Sequence, residues 1–127
     1  MLKYSPIVVA IGGVAGAGSR WLVTDLAGPH AFPWPTLAVN IAGAFILGLL
    51  VHPAPTERRE LIRLGIGVGF CGGLTTFSSF ALALAEQIRD GRLGTAGSYM
   101  VVSLLAGLTA VIAGALARRR LDPYLFS

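Results

Sequence analysis

From Leu64 to Ala85 the chain runs for 22 residues without a charged side chain, and from Leu93 to Ala117 it does so again. Each run meets the roughly 20 apolar residues that a helix needs to cross a bilayer. Hydrocarbon offers backbone N–H and C=O groups no partner, so a spanning segment must satisfy its own, and a continuous apolar run does this as a helix. A chain of 127 residues built mostly from such runs is an all-α integral membrane protein, not a water-soluble domain. Composition agrees: 54% of residues are hydrophobic and 13% charged.

Four apolar segments separate along the chain, at about 6–26, 35–51, 61–88 and 93–117, and form a single transmembrane domain over 1–127. Pro35 is suited to a helix start. The preceding loop, "GPHAFPWP", carries Trp34, a residue type that favours the headgroup layer. "HPAPTERRE" separates the second and third segments, "RDGR" turns through Gly91, and Arg118, Arg119 and Arg120 follow the last. Lys3, the run Ile7 to Val14 and the triplet Ala15, Gly16, Ala17 resemble a secretory signal with a cleavage site. Apolar character continues past the triplet through Trp21, Leu22 and Val23, which favours a retained helix.

The formal charge of +4 does not point to nucleic acid. Most basic residues flank apolar runs, where Lys and Arg set topology, and no basic patch is interleaved with aromatics in a soluble stretch. Cys71, the only cysteine, has no disulfide partner and reads as a small buried side chain. His30 and His52 lie in loops beside prolines, with no nucleophile or metal constellation near them. An enzyme is not expected.

The third segment is not a plain helix in sequence. Gly65, Gly69 and Gly73, like Gly12 and Gly16, recur every four residues, the spacing that lets membrane helices approach closely. Packing does not explain "GGLTTFSS". Gly72 and Gly73, followed by Thr75, Thr76, Ser78 and Ser79, weaken the helix at its middle and offer hydroxyls to freed backbone groups. Helices broken at mid-membrane hold ions on unwound carbonyls and half-helix ends. The alternative is an unbroken helix whose small polar residues face a neighbour.

Other polar residues align with this reading. Thr36 and Asn40 share one face of the second segment, and Tyr99 and Ser103 one face of the fourth, continued by Gly107. Taken singly, each is an ordinary helix-to-helix hydrogen bond. Together they form a lane of donors with no carboxylate in the central part of any span, which suits a small hydrated anion. Phe77 and Phe80, three apart, bring electropositive ring edges that hold an anion loosely enough for it to leave.

"GGLTTFSSF" resembles the signature of the Fluc (CrcB) family of fluoride channels. "GGVAGAGSRWL" is similar to that family's first helix with its Arg, and "TLAVNIAGAF" to the second with its pore-lining Asn. The resemblance implies passive fluoride export across the bacterial inner or plasma membrane, keeping cytoplasmic fluoride low. It implies two pores in an antiparallel homodimer. By this likeness Phe77 and Phe80 form an aromatic box, Asn40 donates to fluoride, and Tyr99 and Ser103 belong to a polar track. Thr36 and Ser79 also lie along the fluoride pathway, and Arg20 stands near a vestibule. A structural sodium ion is bound by the carbonyls of Gly72 and Thr75 from both subunits.

Three features depart from the family pattern. Ala83 stands where many members carry Glu, with Glu86 three residues later; Gly107 replaces a hydroxyl of the track, with Thr109 nearby. With the N-terminus inside, Lys3, Arg58, Arg59, Arg63 and Arg118 to Arg120 would be cytoplasmic, against Arg89 and Arg92 outside. That bias predicts one orientation, so either the late charges count for less or the subunit pairs with an oppositely oriented paralogue. A small multidrug exporter is disfavoured, because proton exchange needs an intramembrane carboxylate. A non-conducting packing subunit leaves Asn40 and the paired threonines unexplained.

Overall fold

The computed structural model describes residues 2–28, 32–52 and 54–125. Among them there is no strand. A short turn, Leu2–Tyr4, leads into α1 (Ser5–Ala27), followed by α2 (Trp34–Leu49). A third rod comprises α3 (Glu57–Leu64), a π-helical stretch (Gly65–Cys71), α4 (Gly72–Leu74) and α5 (Phe77–Arg89), and α6 (Leu93–Leu125) completes the chain. The four rods fall within a few residues of the sequence segments, although α6 continues past its arginines. His30 lies outside the described residues.

Three rods, Ser5–Ala27, Glu57–Arg89 and Leu93–Leu121, are long and apolar enough to cross a membrane. α2 is apolar but has 16 residues, a length of about 24 Å at 1.5 Å per residue. The surface is that of a protein made for lipid. Ile11, Val14, Leu26, Leu104 and Leu108 are all at least 60% exposed, and apolar surface of this extent is not left to water in a soluble monomer. Trp21 and Trp34 are also exposed, near the α1–α2 connection, where their rings suit one headgroup layer.

Glycine contacts set the packing. α1 lies on the π stretch and α4, and α2 lies along α6. A Cβ on Gly16 would strike the Phe70 carbonyl, and one on Gly73 the Gly13 carbonyl. The glycines spaced by four on α1 and on the third rod are thus two halves of one close crossing. α2 and α6 use the same device, since Gly48 meets the backbone at Val111 and Gly114 meets it at Phe45. The π-helical turns from Gly65 to Cys71 were not anticipated by the spacing. Gly65, Gly67 and Gly69 remove the side chains that would crowd a widened turn, and all three are buried.

The break differs in position from the expectation that Gly72 and Gly73 would weaken the helix. Gly72 stays helical (φ −62°, ψ −38°), while Thr75 (φ −80°, ψ 153°) and Thr76 (φ −147°, ψ 119°) are extended. Gly73 is held in register by its approach to α1. The β-branched threonines resist the helix more than the packed glycines do, and they find other backbone partners there. At the break the rod changes neighbours: its first half lies on α1, its second on α6. Gly91 (φ 75°) makes the left-handed turn between α5 and α6.

Candidate functional site

A groove of about 330 Å³ opens beside the break. Its polar wall is Asn40 of α2, Thr75 and Thr76 of the break, and Ser103 of α6; Phe77 and Phe80 of α5 face them, and aliphatic side chains complete it. No lining residue is ionisable.

The break is held open by Asn40. Its Nδ2 donates to the Thr76 carbonyl at 3.2 Å, and the Thr76 N–H donates to Asn40 Oδ1 at 2.8 Å. One side-chain amide thereby replaces both hydrogen bonds that Thr76 would have made in a helix, at a depth where an unsatisfied backbone group costs about several kcal/mol. Asn40 spends one amide hydrogen on this and keeps the second.

Thr76 also caps α5. Its Oγ1 accepts from the Ser79 N–H at 3.1 Å, donates to Ser79 Oγ at 3.2 Å, and lies 3.1 Å from Ser78 Oγ. Thr75 turns back instead, its hydroxyl donating to the Cys71 carbonyl at 2.8 Å. Two carbonyls consequently lose their helical donors. The N–H four residues beyond Gly72 is that of Thr76, given to Asn40, and the one beyond Thr75 is that of Ser79, given to the Thr76 hydroxyl. Gly72 is exposed, and a Cβ there would meet nothing within 4 Å.

The aromatic rings are in series. Phe77 and Phe80 have centroids 5.7 Å apart, Phe80 and Tyr99 5.2 Å, and Tyr99 meets Phe32 edge-on at 5.3 Å. Phe77 is 79% exposed, whereas Tyr99 is fully buried. The hydroxyls of Tyr99 and Ser103 are buried beside each other, and neither meets full hydrogen-bond geometry with a partner. Such a group costs about 1–3 kcal/mol unless water or an ion satisfies it.

The structure thus gathers Asn40, Phe77, Phe80, Ser103 and Thr75 at one groove, with Tyr99 behind Phe80 and Ser79 behind Thr76. Thr36 is buried one turn before Asn40 and Arg20 is half-buried on α1, and neither lines the groove. Glu86 is exposed, so it takes no place in the groove wall; Thr109 lines a separate apolar groove between α2 and α6. Two polar residues were not singled out by spacing. In the motif Thr76 is one hydroxyl among four. Gln87 is 3% exposed, with its Oε1 unpartnered. Its position was legible, because residues 80, 83 and 87 lie on one helical face.

Fold and site define a multi-pass helical membrane protein with a donor-lined, carboxylate-free groove at a broken span. Residues 7–115 match the family described as CrcB-like protein, Camphor Resistance (CrcB), and the chain belongs to that family. It is 43% identical over 112 residues to the "Fluoride-specific ion channel FluC" of Novosphingobium aromaticivorans, covering 84% of this chain and 89% of the relative. Proteins of the same name from Agrobacterium fabrum (43% over 120 residues, 90% and 95% covered) and Geobacter sulfurreducens (38% over 121 residues, 91% and 97% covered) are also similar.

Proposed function

We propose that this protein is a fluoride-selective channel, not an enzyme, which lets fluoride leave the cell passively across the bacterial inner membrane and keeps cytoplasmic fluoride low. The observation that carries the reading is the adjacent pair of buried hydroxyls at Tyr99 and Ser103, neither in full hydrogen-bond geometry with a protein group, next to a groove with a spare Asn40 donor and no carboxylate. Donors without competing acceptors replace the hydration shell of a small anion. The ring edges of Phe77 and Phe80 add weak positive potential without a fixed charge that would trap it. Thr36 and Arg20 would act at the ends of the path, outside the groove wall.

The working unit is an antiparallel dimer with two pores, formed by two copies or with an oppositely oriented paralogue. An exposed Phe77 and an open Gly72 suit a surface that a second subunit covers. Sodium fits the residues present, since the Gly72 and Thr75 carbonyls are oxygen donors without helical partners, and a twofold axis would double the set. Bound there, sodium would bridge the subunits and favour an anion nearby.

The test is fluoride efflux from liposomes holding only the purified protein, read with a fluoride electrode beside a chloride control. Rapid fluoride release with little chloride release is expected. Silent vesicles that stay silent with a co-expressed paralogue would refute the channel. Replacing sodium by N-methylglucamine should lower the thermal stability of the dimer, and an unchanged melt would remove the ion.

A further inference from the structure

We infer that Gly43 of α2 is a positioning residue for the proposed fluoride path: the space left by its missing side chain seats the methyl of Thr75 and thereby fixes where the Thr75 hydroxyl points. The inference deepens the channel reading and rests on it. Gly43 is buried, and a Cβ there would strike Thr75 Cγ2. Gly16, Gly48, Gly73 and Gly114 all meet backbone of a neighbouring helix. Gly43 instead makes room for one side chain at the break, so close helix approach does not account for it.

Threonine is branched at Cβ, so its methyl and hydroxyl turn together about one torsion. With the methyl in the notch, the hydroxyl donates to the Cys71 carbonyl at 2.8 Å, and the same carbonyl accepts the Thr75 N–H at 2.9 Å. A Cβ at position 43 would drive the side chain to another staggered well, a turn of about 120° that takes the hydroxyl off that carbonyl. Thr75 is half-buried and forms part of the groove wall. The turn therefore changes which donors and lone pairs an anion meets there.

Asn40 and Gly43 are three apart on α2, hence neighbours on one face. Asn40 bonds Thr76 and Gly43 seats Thr75, so one face of α2 fixes both extended residues of the break.

The test is fluoride efflux per folded protein in the liposome assay, with thermal melts alongside, for the parent, Gly43→Ala, Thr75→Ser and Gly43→Ala/Thr75→Ser. Serine keeps the hydroxyl and lacks the methyl, and a Cβ at position 43 would stand 3.6 Å from the Cβ of residue 75, an ordinary contact. Gly43→Ala should lower flux roughly tenfold, a coupling usual between residues in contact. The double variant should regain the flux of Thr75→Ser. If Gly43→Ala alone does not fold, the double variant still decides, because it must fold and conduct as Thr75→Ser does. A Gly43→Ala variant that melts lower yet keeps full flux per folded protein, or a double variant that conducts less than Thr75→Ser, would overturn the inference while leaving the channel standing. A parent that is silent with and without the paralogue would overturn both.

Discussion

Asn40 and Thr76, 36 residues apart in the chain, exchange two hydrogen bonds across the boundary between α2 and the broken third rod. The amide does the work of a helical turn, so a polar residue in one span is the condition for a gap in another. Replacing it by Asp removes the donor to the Thr76 carbonyl and, when ionised, places a charge in the span at a penalty of about 3 kcal/mol. Asn40→Asp should therefore lower both thermal stability and fluoride flux in the liposome assay; unaltered flux would remove Asn40 from the pore.

Ser103→Ala separates stability from conduction. The Ser103 hydroxyl lies beside that of Tyr99 without meeting full hydrogen-bond geometry, so the variant should melt within about 1 kcal/mol of the parent. Its flux should fall, because a donor of the proposed path is gone. A stable variant with full flux would return Ser103 to the packing.

Phe77 can be tested in the same way. Its ring is 79% exposed in the subunit, so Phe77→Ile should change subunit folding by no more than roughly 0.5 kcal/mol. Flux should drop while size-exclusion chromatography reports the proposed dimer for parent and variant alike, since Ile keeps apolar bulk but lacks a polarised ring edge. Normal flux would show that Phe77 only packs.

Gly16→Ala and Gly18→Ala are a matched pair on one helix. A Cβ at position 16 strikes the Phe70 carbonyl, whereas one at position 18 meets nothing within 4 Å. The first should destabilise by about 1–3 kcal/mol, and the second should be neutral or slightly favourable through helix propensity. Equal melts for the two would refute the close α1 crossing.

Span lengths, the segment boundaries and the gathering of polar residues near the middle of the third rod were legible in the sequence. Apolar run length and side-chain chemistry are local properties, and the bilayer imposes one secondary structure on such runs. The glycine spacing also identified the surfaces of α1 and the third rod that meet, because a four-residue repeat places its members on one helical face. Gln87 could have been found by extending the face of Phe80 and Ala83.

Other features depend on which surfaces meet. Adjacent glycines ordinarily weaken a helix, yet Gly73 is pinned against Gly13 of α1, and the chain opens at Thr75 and Thr76, where Asn40 supplies the lost hydrogen bonds. Thr36 and Asn40 share a helical face, but only Asn40 reaches the break. The sequence by itself determined that the chain is a helical membrane protein with a polar interruption in its third span, because hydrophobic length is summed along the chain. Tertiary structure decided where the interruption falls and which donors remain open to a ligand, because each hydrogen bond there joins groups that only folding brings within about 3 Å of each other.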